Sequence, residues 1–314
     1  MALTLAESAK YSQNDLQRGV IETFVIEANV LDRLPLLPIQ GNAYAYNEEL
    51  TLPGIEFRAV NSAYAESTGT INQKTESLVI LGGDADVDTF MVKTRGNLND
   101  LRAAATRGKV KAANFKFQDA FVNGDVAVDA NSFDGLKKRL TGAQVIAAGT
   151  NGLAVLGADD AARHAFLDQL DALLALVPNA DALYMNAAIL AKIKGSARRL
   201  TIFDQTVDDF GRKIGTYQGV ALIDIGNRAD GTAIIPQTET QGTAVGTTSS
   251  IYAVRFGRDE SDRGVTGLTN GGIDVRDLGE QDAKPVFRTR IEFFCGLGVF
   301  GGKAAARLTG VLNS

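Results

Sequence analysis

The sequence predicts an α+β fold with more than one module, and three observations carry that expectation. From about Asn97 or Asn99 to Val122 the pattern is helical, with Leu98, Leu101 and Ala105, then Val110, Ala113, Phe117 and Phe121, at three- and four-residue spacing. Near the end, PVFRTRIEFFCGLGVF alternates. Phe287, Ile291, Phe293 and Cys295 fall on one side and Arg288, Arg290 and Glu292 on the other, the mark of a half-buried strand. The first 84 residues, by contrast, hold two segments short of apolar residues with which to build a core.

The chain has 314 residues, above the length at which one core grows comfortably. Apolar residues make up 45 % and charged residues 22 %, which places the chain among globular proteins and away from disordered ones. The formal net charge of −5 argues against a dedicated nucleic-acid binder. The single cysteine, Cys295, has no intrachain partner for a disulfide and fits a reducing cytoplasm. MALTLAESAK lacks the basic region and apolar run of a secretory signal, and no stretch approaches the ~20 apolar residues that span a bilayer. A soluble protein without a membrane partner is expected.

Residues 1–42 read as an arm. Asp15 to Glu27 carries Leu16, Val20, Ile21, Phe24 and Val25 at helical spacing, and LDRLPLLPIQG then places Pro35 and Pro38 where no regular helix can run. With little of its own to pack against, the arm is expected on another surface. Residues 43–84 read as a long hairpin excursion. AYAYNEEL, GIEFRAV and SLVIL are strand-like, Ile55, Phe57 and Ala59 alternate most clearly, and a turn is expected at Gly69. VDTFMVK, 87–93, reads as a short strand.

The helix at 97–122 spans about 24 residues, roughly 36 Å, with Gly108 inside it at a cost of about 1 kcal/mol relative to alanine. FVNGDVAVDANSFDGLKKRL follows. Asn123-Gly124 is expected to end the helix because both residues tolerate left-handed backbone angles, and Asp134-Gly135 is a second turn signal. AAGTNGLAVLG is a glycine-rich loop. Asp159 and Asp160 open a helix that Pro178 ends, ALYM is a strand, and Asn186 caps the helix AAILAKIKGSARR. TYQGVALIDI is a strand pair or one bent strand, IYAVRFG is a strand, and QTETQGTAVGTTSS, 237–250, reads as an exposed loop.

Few residues suggest chemistry. A zinc site needs about four His or Cys ligands, and the chain has one of each, far apart. His164, Asp168 and Asp171 share a helix face, but Phe166, Leu170, Leu173 and Leu174 mark the buried side, so the three read as a solvated polar face. Cys295 reads as a small core residue, lacking a base for nucleophilic work. Gly296-Leu297-Gly298-Val299-Phe300-Gly301 matches G-x-G-x-x-G, yet no acidic residue follows and only 13 residues remain, so a glycine-rich turn into a last strand is the better reading. GTNGLAVLG lacks the Gly-Lys-Ser/Thr of a P-loop. Lys192, Lys194, Arg198 and Arg199 suit the dipole at a helix end. No catalytic, cofactor-binding or metal-binding residue is expected, and no cofactor.

The order of elements is itself informative. VLDRLPLLPIQGNAYAYN, FQDAFVNGD, FDGLKKRL, ALYMNAAILAKI, GVALIDI and IYAVRFG, in this order and spacing, resemble the major capsid proteins of tailed bacteriophages, the Hong Kong 97 type fold. The resemblance covers nearly the whole chain. It implies an N-terminal arm over 1–42, an extended hairpin loop over 43–84, and a peripheral domain over 85–140 with a long spine helix. It further implies an axial domain over 141–274 and a return strand over 275–314 that completes the peripheral domain.

The resemblance implies a structural shell subunit, not an enzyme. Copies would assemble through pentamers and hexamers into an icosahedral virion capsid, built in the host cytoplasm, enclosing double-stranded DNA without sequence-specific binding. A separate scaffolding protein and a portal are implied partners, and a decoration protein is compatible with the reading. Mild acidity suits a shell that must not grip its DNA tightly. Some relatives cross-link a hairpin lysine to an asparagine; Lys74 is the only lysine in this hairpin and Asn270 a conceivable acceptor, but a solvated lysine at the hairpin tip is preferred. Two other readings stay open: an encapsulin-like nanocompartment shell holding cargo, for which the sequence near the start lacks the expected docking helix, and a soluble α/β enzyme using a carboxylate-bound metal or a nucleotide.

Overall fold

A computed structural model describes residues 29–95, 98–200, 204–207 and 213–314. The expected helix at Asp15–Glu27 lies outside the described residues. The described elements, in chain order, begin with strands β1 (Leu36–Pro38), β2 (Ala43–Thr51), β3 (Thr70–Ser77) and β4 (Val79–Asp88). Helices α1 (Thr89–Arg95), α2 (Leu98–Asn123) and α3 (Leu136–Arg139) follow, then β5 (Val145–Ala147) and β6 (Leu153–Ala154). Next come α4 (Asp160–Leu176), β7 (Ala182–Met185), α5 (Ala187–Leu200), β8 (Asp204–Val207), β9 (Lys213–Tyr217) and β10 (Val220–Asp224). The chain finishes with β11 (Glu239–Gln241), β12 (Ala244–Val254), β13 (Val265–Gln281), β14 (Lys284–Val299) and β15 (Ala305–Leu312).

These strands form three sheets: a four-stranded one in the order β1-β13-β14-β4, a nine-stranded one built on β5-β15-β12-β7-β10-β9-β8, and the two-stranded ribbon β2-β3. The long helix α2 links the two larger sheets. The Phe117 ring lies 5.9 Å from Phe293 of the four-stranded sheet, and the Phe121 ring 6.1 Å from Tyr184 of the nine-stranded sheet. Phe117, Phe121, Phe293 and Tyr184 therefore share one core. The other face of the large sheet is covered by α4 and α5, through Phe166, Leu170, Leu173, Ile189 and Ile193. Both helices begin as the sequence indicates: Asp159 accepts from the Ala162 N–H and Asn186 from the Ile189 N–H, each at 2.8 Å.

Several expectations are corrected. The end of the arm does not await another surface: Val30, Leu31, Leu34 and Leu36 are buried in this chain's own core, where β1 runs parallel to β13. Two prolines prevent helix but not an edge strand. GIEFRAV forms no strand, since none of the described residues lies beside it to complete a ladder; the polar TINQKTES forms β3 instead. The hairpin turns at Val60-Asn61, where Asn61 is left-handed (φ 67°), and not at Gly69, whose missing side chain makes room for the Thr51 carbonyl. VDTFMVK breaks at Asp88, whose carboxylate accepts from the Phe90 N–H at 2.7 Å and starts α1.

Residues 237–250 are not an exposed loop. They form β11 and much of β12, with Thr248, Ser249 and Ser250 fully buried. Their hydroxyls are satisfied: Thr248 donates to the Glu239 carbonyl, Ser250 to the Glu239 carboxylate, and Ser249 accepts from Asn186. Small hydroxylated residues with such partners bury at little cost. Residues 275–314 do not form one return strand. β13 crosses 274/275 unbroken, and β15 joins the nine-stranded sheet beside β12 instead of the four-stranded one. Gly301 (φ 89°) permits the sharp change of direction between β14 and β15.

Candidate assembly surface

The base of the β2-β3 ribbon is built with care and its tip is bare. At the base Tyr44 and Tyr46 pack on Phe300, at ring distances of 6.0 and 4.9 Å, both edge-on. Gly298 makes this possible, because a side chain there would meet the Phe300 ring at 2.8 Å. Gly296 likewise sits under Ser77 and Leu78, at the root of the ribbon. The G-x-G-x-x-G motif thus seats the hairpin, and Gly296 and Gly298 lie within β14 rather than in a turn.

An ion pair completes the base. Arg139 of α3 donates two hydrogen bonds to the Glu76 carboxylate, at 2.5 and 2.6 Å, with both side chains largely buried. The Tyr46 hydroxyl lies against Glu76 and the Val299 carbonyl, and burial, aided by the Glu76 charge, pushes its pKa up to about 12. Sequence reading gave Arg139 no partner, since Glu76 lies 63 positions away.

Beyond the base, residues 52–69 stand clear of the other described residues. Leu52, Ile55, Phe57, Val60 and Tyr64 are between 67 and 108 % exposed. Ile71 on the ribbon and Phe90 on α1 are about as exposed. So many large apolar side chains on one projecting element mark an interaction surface.

The residues singled out for chemistry do not converge. His164 and Asp168 are exposed, and Asp171 accepts from Tyr217 and Gln218, so it ties α4 to the β9-β10 turn. No group of three or more His, Cys, Asp or Glu side chains is placed to hold a metal among the described residues. Cys295 is buried in the core to which α2 also contributes, and burial pushes its thiol pKa up to about 12. Lys192, Arg198 and Arg199 line an open depression with Leu156 and Gly195. Lys74 is not at the hairpin tip; it sits mid-strand, 2.6 Å from Glu48. Asn270 donates to the Gly41 carbonyl of its own chain.

Comparison with known folds places this geometry in a class. The chain is similar to the SrpI encapsulin of Synechococcus elongatus PCC 7942, with a TM-score of 0.65, 19 % identity, and coverage of 90 % of this chain and 87 % of that one. It is similar to the capsid of a native GTA particle, with a TM-score of 0.60, 17 % identity, and coverage of 91 and 90 %. It is similar to the structure of Microbacterium phage Oxtober96, with a TM-score of 0.56, 13 % identity, and coverage of 90 % of each chain. The fold is therefore the Hong Kong 97-like α+β capsid fold. Residues 14–159 match the family model Major capsid protein GP7. With that match and this fold, the chain is a structural major capsid protein of the tailed-phage type. No curated protein matches the sequence.

Proposed function

We propose that this chain assembles through pentamers and hexamers into an icosahedral shell that forms in the host cytoplasm and encloses double-stranded DNA. The observation that carries the proposal is the bare hairpin tip: Leu52, Ile55, Phe57, Val60 and Tyr64 have no cover among the described residues, while the base that aims them is fixed by Glu76, Arg139 and Phe300. Each apolar side chain of this size is worth about 1.5–3 kcal/mol once buried, so five on one element supply a strong drive to associate. The area buried per copy should exceed the ~1,600 Å² of a standard complex.

In this reading residues 1–42 act as the arm, of which 29–39 is the root, and 43–84 as the extended loop. The peripheral unit comprises 85–140 with the four-stranded sheet, and the axial unit comprises 141–264 with β15. Scaffolding and portal proteins are separate partners, and a decoration protein would attach to the finished shell. The protein acts by assembly and not by catalysis. The test replaces residues 54–68 with a short Gly-Ser turn, keeping the Glu76–Arg139 anchor. A folded subunit that forms no shells by electron microscopy is expected; normal particles from this variant would refute the proposal.

A nanocompartment shell is the second reading, favoured by the likeness to the SrpI encapsulin fold. The capsid family match over 14–159 weighs against it. The contents of purified particles separate the two: DNA in one case, enzyme cargo in the other.

A further inference from the structure

The chain is acidic overall, yet its longest helix is not. Along the outward face of α2, between positions 104 and 116, the charged residues are Arg107, Lys109, Lys111 and Lys116, with no acidic residue among them. All four are exposed, as are Ala104, Gly108 and Ala112. At 100° per residue, Arg107 and Lys111 fall on one flank of this face and Lys109 and Lys116 on the other. Ala104, Gly108 and Ala112 lie between them, with the half-buried Phe115 at the C-terminal end of the strip. Among the described residues, a side chain at Gly108 would meet nothing within 4 Å, so the surface between Arg107 and Lys109 is open there. Lys111 is stacked over the Phe115 ring at 5.9 Å, and Lys116 approaches Asp129 only to 4.0 Å, with its side chain 61 % exposed. Lys109 lies beside Gly83, close enough to help hold the Asp84 carboxyl below its ordinary value.

Two carboxylates of neighbouring segments, Asp84 near Lys109 and Asp129 near Lys116, border the strip; the larger groups of acids lie elsewhere. The ribbon carries Glu48, Glu49, Glu56, Glu66 and Glu76 against Arg58 and Lys74, and α4 with its cap carries Asp159, Asp160, Asp168 and Asp171. Such segregation in an acidic protein creates a local positive field in one strip. Two cationic flanks along about 13.5 Å of helix match the regular negative charge of a nucleic-acid backbone, and the small residues between them let that backbone approach closely.

We infer that the outward face of α2 is a contact surface for the phosphate backbone of double-stranded DNA, weak and indifferent to sequence, with Arg107, Lys109, Lys111 and Lys116 as the contacting groups. Four phosphate contacts predict a slope of about −3.6 in log K against log salt, or roughly a 10²-fold loss of affinity between 50 and 200 mM. Binding of this strength touches DNA without holding it fast. The inference rests on the shell reading only in taking the enclosed genome as the DNA concerned.

The test is fluorescence anisotropy of a labelled mixed-sequence 20-base-pair duplex with the full-length protein at 50 and 200 mM NaCl. R107Q/K109Q/K111Q/K116Q should lose at least 30-fold in affinity at 50 mM, while the control K192Q/K194Q/R198Q/R199Q should lose less than 3-fold. Equal losses in both, unchanged binding by the first variant, or no binding by the wild-type protein at 50 mM would overturn the inference. So would retained DNA binding in a quadruple variant that no longer assembles, since the face would then be a contact between subunits. Single variants R107E and K116E, at exposed positions, serve if the quadruple variant fails to fold. Electron microscopy separates the two readings: wild-type protein that binds DNA through α2 but forms no shells supports this surface and removes the shell.

Discussion

Gly124 and Gly135 lie backbone against backbone at the end of α2. The Gly135 N–H donates to the Gly124 carbonyl at 2.9 Å, and the Gly124 N–H closes the helix on Ala120 at 2.9 Å. A methyl on Gly124 would stand 2.2 Å from the Phe133 carbonyl oxygen, and one on Gly135 would stand 2.4 Å from that of Ala120. Neither glycine is left-handed. What ends the helix at FVNGD is close approach of the returning chain, not a special backbone angle, which corrects the reason the sequence suggested.

Gly124→Ala and Gly135→Ala should each destabilise the subunit by about 2–4 kcal/mol, because the clash is with backbone that cannot turn away. Gly108→Ala, with open space around it, should stabilise by about 0.5–1 kcal/mol. Urea unfolding of the three variants checks both signs.

Glu76→Gln or Arg139→Met should each cost on the order of 2–3 kcal/mol, since either leaves a largely buried partner unpaired. The double variant should cost less than the sum. A double-mutant cycle by urea unfolding measures the coupling, and additive losses would show that the pair does not hold the ribbon.

Acid should loosen the four-stranded sheet in a defined window. Hydrogen bonds from Arg290 hold the Asp84 carboxyl below its ordinary value of 3.8, and Arg288 does the same for Asp86. Arg290 and Arg288 reach these carboxylates with paired bonds of 2.7 to 2.9 Å. Groups with depressed folded-state values contribute stability that is complete above the unfolded value and is lost as pH falls through the folded one. The melting temperature should therefore drop as pH falls below about 4, and Asp84→Asn/Asp86→Asn should flatten that drop while lowering stability at pH 7.

Cys295 should be inert to thiol reagents in the native protein at pH 8 and react in urea, because it is 1 % exposed and its thiol is held protonated. Rapid native labelling would show that the core around Cys295 opens.

The sequence by itself determined the elements whose signals are local. The period of α2, the caps Asp159 and Asn186 and the alternation of β14 all follow from residues a few positions apart; whether TYQGVALIDI is a pair or one bent strand, the structure decides, with a turn at Gln218-Gly219. The sequence also indicated that the hairpin needs a partner surface, within the chain or beyond it; that its tip is exposed is read from the structure. The tertiary structure alone decided what depends on distant partners. Val30, Leu31 and Leu34 of the arm fold into the core because β13, more than 200 residues on, offers β1 an edge. Thr248, Ser249 and Ser250 are interior because Glu239 and Asn186 satisfy their hydroxyls. Arg139 meets Glu76 only after two sheets and a helix have brought them together. Periodicity reports which side of an element is apolar; which surface that side meets is settled only when the whole chain has packed.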